Sequence, residues 1–98
     1  MIIEKTDIYE KWFGKLKNDK AKFKITVRLA KIELEDHFGD YKSVGDGIYE
    51  IRIDFGCGYR IYFSYKNKVI ILLLCGGDKS TQQKDIEKAK IINKELGN

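Results

Sequence analysis

Apolar positions change their period once along this chain, near residue 40, from helical spacing to the short runs and alternation of strands. Ile2 and Ile3 ahead of Glu4 predict a short first strand, and Asp7 followed three residues later by Glu10 has the spacing of a capping box that opens a helix. Ile8, Trp12 and Leu16 would line one face of that helix. Asn18 and Asp19 break the pattern and predict the cap of a second helix, along which Ile25, Leu29 and Ile32 keep helical spacing until Gly39 offers a stop. Together these segments predict a helical hairpin over residues 7 to 38. The single histidine, His37, falls at its end, where a cation is mildly favoured by the helix dipole, so its expected role is structural.

From Tyr41 onward the chain predicts strands over Tyr41–Val44, Ile48–Phe55, Tyr59–Tyr65 and Val69–Cys75, separated by Gly45-Asp46-Gly47, Gly56-Cys57-Gly58 and Lys66-Asn67-Lys68. Short connections of this kind imply an antiparallel meander. The last run, Val-Ile-Ile-Leu-Leu-Leu-Cys, is apolar at every position, as expected of a central strand covered on both faces. Ser80, Thr81, Gln82 and Gln83 then have the composition of a helix cap with a capping-box glutamine, and Ile86, Ala89 and Leu96 would line one side of a C-terminal helix. The expected fold class is α+β: an N-terminal helical hairpin packed on a mainly antiparallel sheet, followed by a C-terminal helix, with residues 1–98 forming a single domain.

Parity of the third predicted strand sets its two faces. Ile51, Ile53 and Phe55 point one way, and Glu50, Arg52 and Asp54 the other. If Gly56-Cys57-Gly58 is a three-residue hairpin loop, Phe55 lies opposite Tyr59, Asp54 faces Arg60, Arg52 faces Tyr62 and Glu50 faces Ser64. Ile53 then meets Ile61 and Ile51 meets Phe63 on the apolar side. A two-residue loop would set Ile53 against Arg60, so apolar parity favours the three-residue loop. The expected result is an open polar face bearing two arginines, a tyrosine and two carboxylates.

Composition changes this picture only in part. Apolar residues make up 43% and charged residues 35% of the 98, enough to bury a core under a well-solvated surface. No stretch approaches the roughly 20 apolar residues of a membrane span, and no signal-peptide pattern is evident, so the cytoplasm is the expected compartment. Cys57 and Cys75 have neither CxxC nor Cys/His spacing, so neither a disulfide framework nor a metal site is expected, and no cofactor is indicated. The net charge of +4 is compatible with a polyanionic partner without requiring one. Its distribution is more informative: Lys11, Lys15, Lys17, Lys20, Lys22, Lys24, Arg28 and Lys31 crowd the N-terminal third. Lys20 and Lys24 are candidates for RNA contact there, although a solvated helix face explains any single lysine slightly better.

An Arg/Tyr face can serve RNA cleavage, because guanidinium groups bind a phosphate bidentately and stabilise the added charge of a pentacoordinate transition state. The plain alternative is a set of exposed cross-strand pairs, each contributing roughly 0.2–1 kcal/mol. Gly76-Gly77-Asp78-Lys79-Ser80 follows an apolar strand and opens a helix as a phosphate loop does, but Asp78 stands where that motif needs glycine. Asp54-Phe55-Gly56 spells the kinase triplet in a chain too short to be a kinase.

Four blocks then stand in a definite order: Trp12 with Leu16-Lys17; Gly39-Asp40-Tyr41-Lys42-Ser43-Val44-Gly45; Ile48 through Phe63, containing Glu-x-Arg-Ile-Asp and Gly-Tyr-Arg-x-Tyr-Phe; and Leu72 through Ser80, containing Gly-Gly-Asp-Lys-Ser. Their order and spacing resemble the phage-derived, HigB-like addiction-module killer proteins of the RelE/ParE toxin superfamily. The family commonly has proline where this chain has Cys57, a departure in the loop and not in the charged residues. The resemblance implies a RelE-like fold and the toxin of a type II toxin–antitoxin pair. It further implies an endoribonuclease that cuts mRNA in the ribosomal A site without metal, the 2′-hydroxyl attacking the adjacent phosphate. On that reading Arg52 and Arg60 bind the phosphate, and Lys42 and Lys79 are candidates for binding and proton transfer. Glu50 is the rival base, and Tyr62 the residue to stack on a base. Implied partners are a HigA-like antitoxin with a helix-turn-helix domain, the ribosome with its mRNA, and operator DNA through the antitoxin alone. The alternatives are a ParE-like gyrase poison and an inactive toxin acting as corepressor.

Overall fold

The structure, a computed structural model, describes residues 1–97. The chain runs β1 (Ile2–Lys5), α1 (Asp7–Lys15), α2 (Asp19–Glu35), β2 (Tyr41–Gly45), β3 (Ile48–Ile53), β4 (Tyr59–Tyr65), β5 (Ile70–Asp78), a 3₁₀ turn (Lys79–Thr81) and α3 (Gln82–Glu95). The α+β class and the meander hold: the five strands form one sheet in the order β1-β5-β4-β3-β2, antiparallel except for β1 against β5.

Strand β5 shows why an unbroken apolar run belongs inside. Ile71 and Leu73 join Ile25, Leu29 and Ile32 of α2 in one cluster, while Leu72, Leu74 and Cys75 join Ala89 and Ile92 of α3 in another. Each fully buried aliphatic side chain here contributes about 1.5–3 kcal/mol. The register between β4 and β5 shifts between Tyr62 and Phe63, where Tyr62 pairs with Cys75 but Phe63 with Leu73. Leu74 is the extra residue of this bulge, so Leu74 and Cys75 both turn toward α3.

Helix α2 starts as its sequence predicts, with the Asn18 side chain accepting from the backbone N–H of Ala21 at 3.1 Å. Helix α1 differs. Its cap is Thr6, whose hydroxyl accepts from Tyr9 N at 3.0 Å and donates to the Leu74 carbonyl at 2.7 Å. That tether to β5 rotates the helix so that Tyr9 is buried and Ile8 exposed. Helix α2 ends earlier than Gly39, on Asp36 in a left-handed conformation at φ 54°. His37 therefore lies past the helix, exposed. Gly39 serves a close approach instead, since at φ +70° it lets the Arg28 guanidinium come to 3.1 Å of where a Cβ would stand. The Ser80/Gln83 cap is also corrected. Asp78 accepts from Ser80 N and caps the 3₁₀ turn, Thr81 makes no side-chain cap at α3, and Leu96 lies exposed beyond that helix.

The hairpin register needs the largest correction. Ile53 pairs with Tyr59, Arg52 with Arg60, Ile51 with Ile61 and Glu50 with Tyr62, two residues away from the expected pairing. Asp54 and Phe55 leave the ladder early: Phe55 N bonds to Ile53 O at 2.9 Å and Gly58 N to Phe55 O at 3.0 Å. The loop thus spans residues 54–58, with Gly56 and Gly58 at positive φ. An even shift leaves every side chain on its expected face, so the parity argument survives while the partners change.

Candidate functional site

The polar side of β3 and β4 is roofed by α3. Glu50 and Tyr62 are each 0% exposed, so the open face expected from the sequence is a buried network instead. Oε2 of Glu50 accepts from the Tyr62 hydroxyl at 3.0 Å and from Nε2 of Gln82, in the first turn of α3, at 2.9 Å. Burial, and then the Glu50 charge, pushes the Tyr62 hydroxyl pKa well up. Tyr62 is therefore a neutral donor inside the protein, covered by α3 and out of reach of a nucleobase.

Around this carboxylate stand the two arginines. Nε of Arg60 is 3.6 Å from Oε2 of Glu50, and Nε of Arg52 is 3.6 Å from Oε1. Arg52 also reaches to 3.7 Å of Asp40, and Arg60 donates from Nη1 to the Gly58 carbonyl at 3.1 Å. The Arg60 side chain is only 11% exposed against 37% for Arg52. Arg60 accordingly belongs to a buried ion cluster, and the expected surface pair with Asp54 is replaced by contact with Glu50.

Beyond the guanidinium groups opens a cleft of about 200 Å³ lined by Asp40, Arg52, Ile53, Asp54, Gly58, Tyr59, Arg60 and Lys79. The fold thus brings together Arg52, Arg60 and Lys79 of the candidate residues. Lys79 enters because β5 ends there and the 3₁₀ turn carries it over Gly58, whose missing Cβ would stand 3.4 Å from the Lys79 Cβ. Asp78 beside it is held below the ordinary carboxylate range, chiefly by the Ser80 hydroxyl and backbone N–H and less by Arg60. Lys42 sits exposed on the edge strand β2, opposite Glu50 in register but outside the cleft lining.

A second, larger groove of about 610 Å³ runs along α2 and shares Ile53 and Asp54 with the cleft. Lys20 and Lys24 line it, together with Phe23, Val27, Arg28 and Lys31. Lys24 Nζ lies 5.1 Å over the Phe55 ring. Arg28, which sequence reading grouped with the surface lysines, is a brace: its Nη1 donates to the carbonyls of Arg52 at 3.0 Å and Phe38 at 3.4 Å. Gln82 was missed outright, because its sequence context spoke only of a helix start. Among the described residues no three His, Cys, Asp or Glu side chains converge as a metal site requires.

The two glycines after Cys75 are explained by close approach. A Cβ on Gly76 would stand 2.6 Å from Cδ2 of Trp12 in α1, and one on Gly77 would stand 2.7 Å from Cγ of Asp85 in α3. The Gly-Gly-Asp-Lys segment is where the sheet is thin enough for helices on both sides to close down beside the cleft.

Comparison with known proteins fits this geometry. A chain from Haemophilus influenzae (strain ATCC 51907 / DSM 11121 / KW20 / Rd), described as an uncharacterized protein, is 53% identical over 95 residues, covering 97% of this chain and 95% of that one. The isolated E. coli RelE toxin superposes with a TM-score of 0.63 at 15% identity, covering 89% of this chain and 96% of that one. A chain of the intact E. coli RelBE toxin–antitoxin complex gives 0.64 at 18% identity over 79% and 94%. A doubly substituted E. coli RelE in the free state gives 0.66 at 16% identity over 92% and 93%. The profile of the family described as phage derived protein Gp49-like (DUF891) matches residues 11–96. The chain therefore belongs to the phage-derived Gp49-like family and carries it on the RelE fold.

Proposed function

We propose that this protein is the toxin of a type II toxin–antitoxin pair and a metal-independent, ribosome-dependent mRNA endoribonuclease of the HigB-like kind. The observation that carries the reading is the convergence of Arg52, Arg60 and Lys79 on one small cleft of a RelE-type sheet. Three cations around a cleft of about 200 Å³ suit the phosphorane formed when a 2′-hydroxyl attacks its neighbouring phosphodiester. Arg52 and Arg60 would hold the non-bridging oxygens, and Lys79, the exposed cation of the three, would bind the chain or protonate the leaving 5′-oxygen. Lys42 at the edge strand, and Lys20 and Lys24 on the adjoining groove, would contact RNA farther from the scissile bond. The similarity to a chain of the RelBE toxin–antitoxin complex supports a neighbouring antitoxin as partner, of the helix-turn-helix type that the sequence resemblance implies.

One shallow cleft offers little of the substrate positioning on which catalysis depends, so the ribosome must provide it. The test is primer extension on mRNA, free and on programmed ribosomes. Cleavage on the ribosome with naked RNA left largely intact is the expected result; equal cutting of both would overturn ribosome dependence. Induction in cells separates the rivals: rapid translation arrest for the nuclease, filamentation with DNA damage for a gyrase poison, and no growth defect for an inactive corepressor.

A further inference from the structure

Arg52 and Arg60 are direct cross-strand partners, an arrangement in which two like charges repel. The fold keeps them there through one carboxylate. Glu50 lies beneath both, fully buried, with each arginine Nε at 3.6 Å. Oε1 of Glu50 and the Nε atoms of both arginines are buried with no hydrogen-bond partner among the described residues, so the three are matched by charge alone. Oε2 is fixed from the other side by Tyr62 and Gln82. A general base must come within hydrogen-bonding reach of the proton it removes. Glu50 has α3 on one side and the guanidinium groups on the other, and no surface of its own.

We infer that Glu50 is a positioning residue rather than the base: with Tyr62 and Gln82 it forms a buried strut that holds Arg52 and Arg60 side by side as a clamp for one phosphate group. The cleft-facing donors of the clamp are those that Glu50 does not engage. Arg52 makes no side-chain hydrogen bond among the described residues, so its Nη donors remain for a ligand, whereas Arg60 commits one Nη to Gly58. Gln82 makes the start of α3 part of the strut, and its side chain reaches Glu50 without lining the cleft itself. The strut rests on the nuclease reading for its substrate, yet the clamp itself would exist in a protein with any phosphate-bearing ligand.

The experiment compares wild type with Glu50→Gln and Gln82→Ala in three measurements. These are the ¹⁵N Nε–H signals of Arg52 and Arg60, their perturbation by inorganic phosphate, and the pH profile of single-turnover cleavage on programmed ribosomes. In wild type both Nε–H signals should be slow to exchange and should move together as phosphate is added. In Glu50→Gln both should lose protection, phosphate should bind at least tenfold more weakly, and cleavage should fall by about a hundredfold, the scale of a misplaced reacting group, with the shape of the pH profile unchanged. Gln82→Ala, which leaves every charge in place, should change the same signals in the same direction by less, and it carries the test if Glu50→Gln does not fold. Unaltered arginine signals in a folded Glu50→Gln protein would overturn the proposal, as would disappearance of the acidic limb of the profile, the mark of a lost base. If wild type cleaves nothing, the nuclease reading fails while the arginine signals and the phosphate titration still decide the strut.

Discussion

Trp12 lies over Gly76 so closely that a methyl group on that glycine would stand 2.6 Å from ring carbon Cδ2. The indole is the plug between α1 and the end of β5, and it determines how near the helix sits to the residues that lead into the cleft. Gly76→Ala must therefore push back a rigid ring rather than a flexible chain. The expected cost is about 1–3 kcal/mol, the usual penalty of overpacking, read as a lowered midpoint in urea denaturation. Gly76→Ala with Trp12→Leu should recover part of it; a single mutant as stable as wild type would show that the approach is looser than described.

Arg52 and Arg60 should agree in both stability and activity. Either change to alanine strips the buried Glu50 carboxylate of one counter-charge and should lower stability by about 1–3 kcal/mol. Either change should slow cleavage by about a hundredfold to a thousandfold. Thermal melts beside single-turnover rates check this. A fully toxic, folded Arg60→Ala protein would remove the cleft from the active site. Lys79→Ala should lose activity with its melting temperature unchanged.

Asp78 ties the end of β5 to the 3₁₀ turn, and its carboxyl pKa is held below the ordinary value of 3.8, first by the Ser80 hydroxyl and backbone N–H. A carboxyl depressed in the folded state adds stability that is complete above its unfolded-state value and is lost as pH falls through the folded one. Asp78→Ala should therefore be less stable than wild type at pH 6, and the gap should narrow as pH drops below about 4. Urea denaturation at a series of pH values gives the answer, and a gap that stays constant would contradict the assignment.

The two thiols should differ sharply. Cys57 is exposed in the hairpin loop, while Cys75 is buried, its Sγ 3.6 Å from the Asp85 carbonyl, and burial pushes its thiol pKa up to about 12. Since the thiolate is the reactive form, an aromatic disulfide reagent at pH 8 should titrate Cys57 promptly in the folded protein and Cys75 only after denaturant is added. Prompt reaction of both would mean that α3 leaves β5 readily.

Where the sequence was legible, one physical signal dominated. The spacing of Ile25, Leu29 and Ile32 could only be a helix face, and the unbroken apolar run of β5 could only be covered twice. The faces of β3 were readable because parity is blind to an even slip in register, and for that same reason parity could not reveal that the slip had occurred. The cover over Glu50 and Tyr62 was not legible at all. Polar side chains read as solvent-facing, and nothing local shows that a glutamate and a tyrosine beside two arginines are complementary enough to be roofed by α3. Arg28 hid likewise among lysines, because a guanidinium that braces backbone carbonyls has the same sequence signature as one in water.

The pairing of β1 with β5 is parallel and joins residues far apart: the Thr6 hydroxyl reaches the Leu74 carbonyl across 68 positions. During synthesis α2 can form early from its own neighbours, but the strand that carries Ile2 and Ile3 must wait, unpaired, until β5 has been made. Contacts of such long loop closure form slowly. The cleft depends on the same late event, since Lys79 follows β5 directly and Gln82 lies just beyond Lys79. Arg52 and Arg60 are therefore made well before the residues that complete their surroundings, and the cleft can assemble only after Lys79 and Gln82 have followed β5.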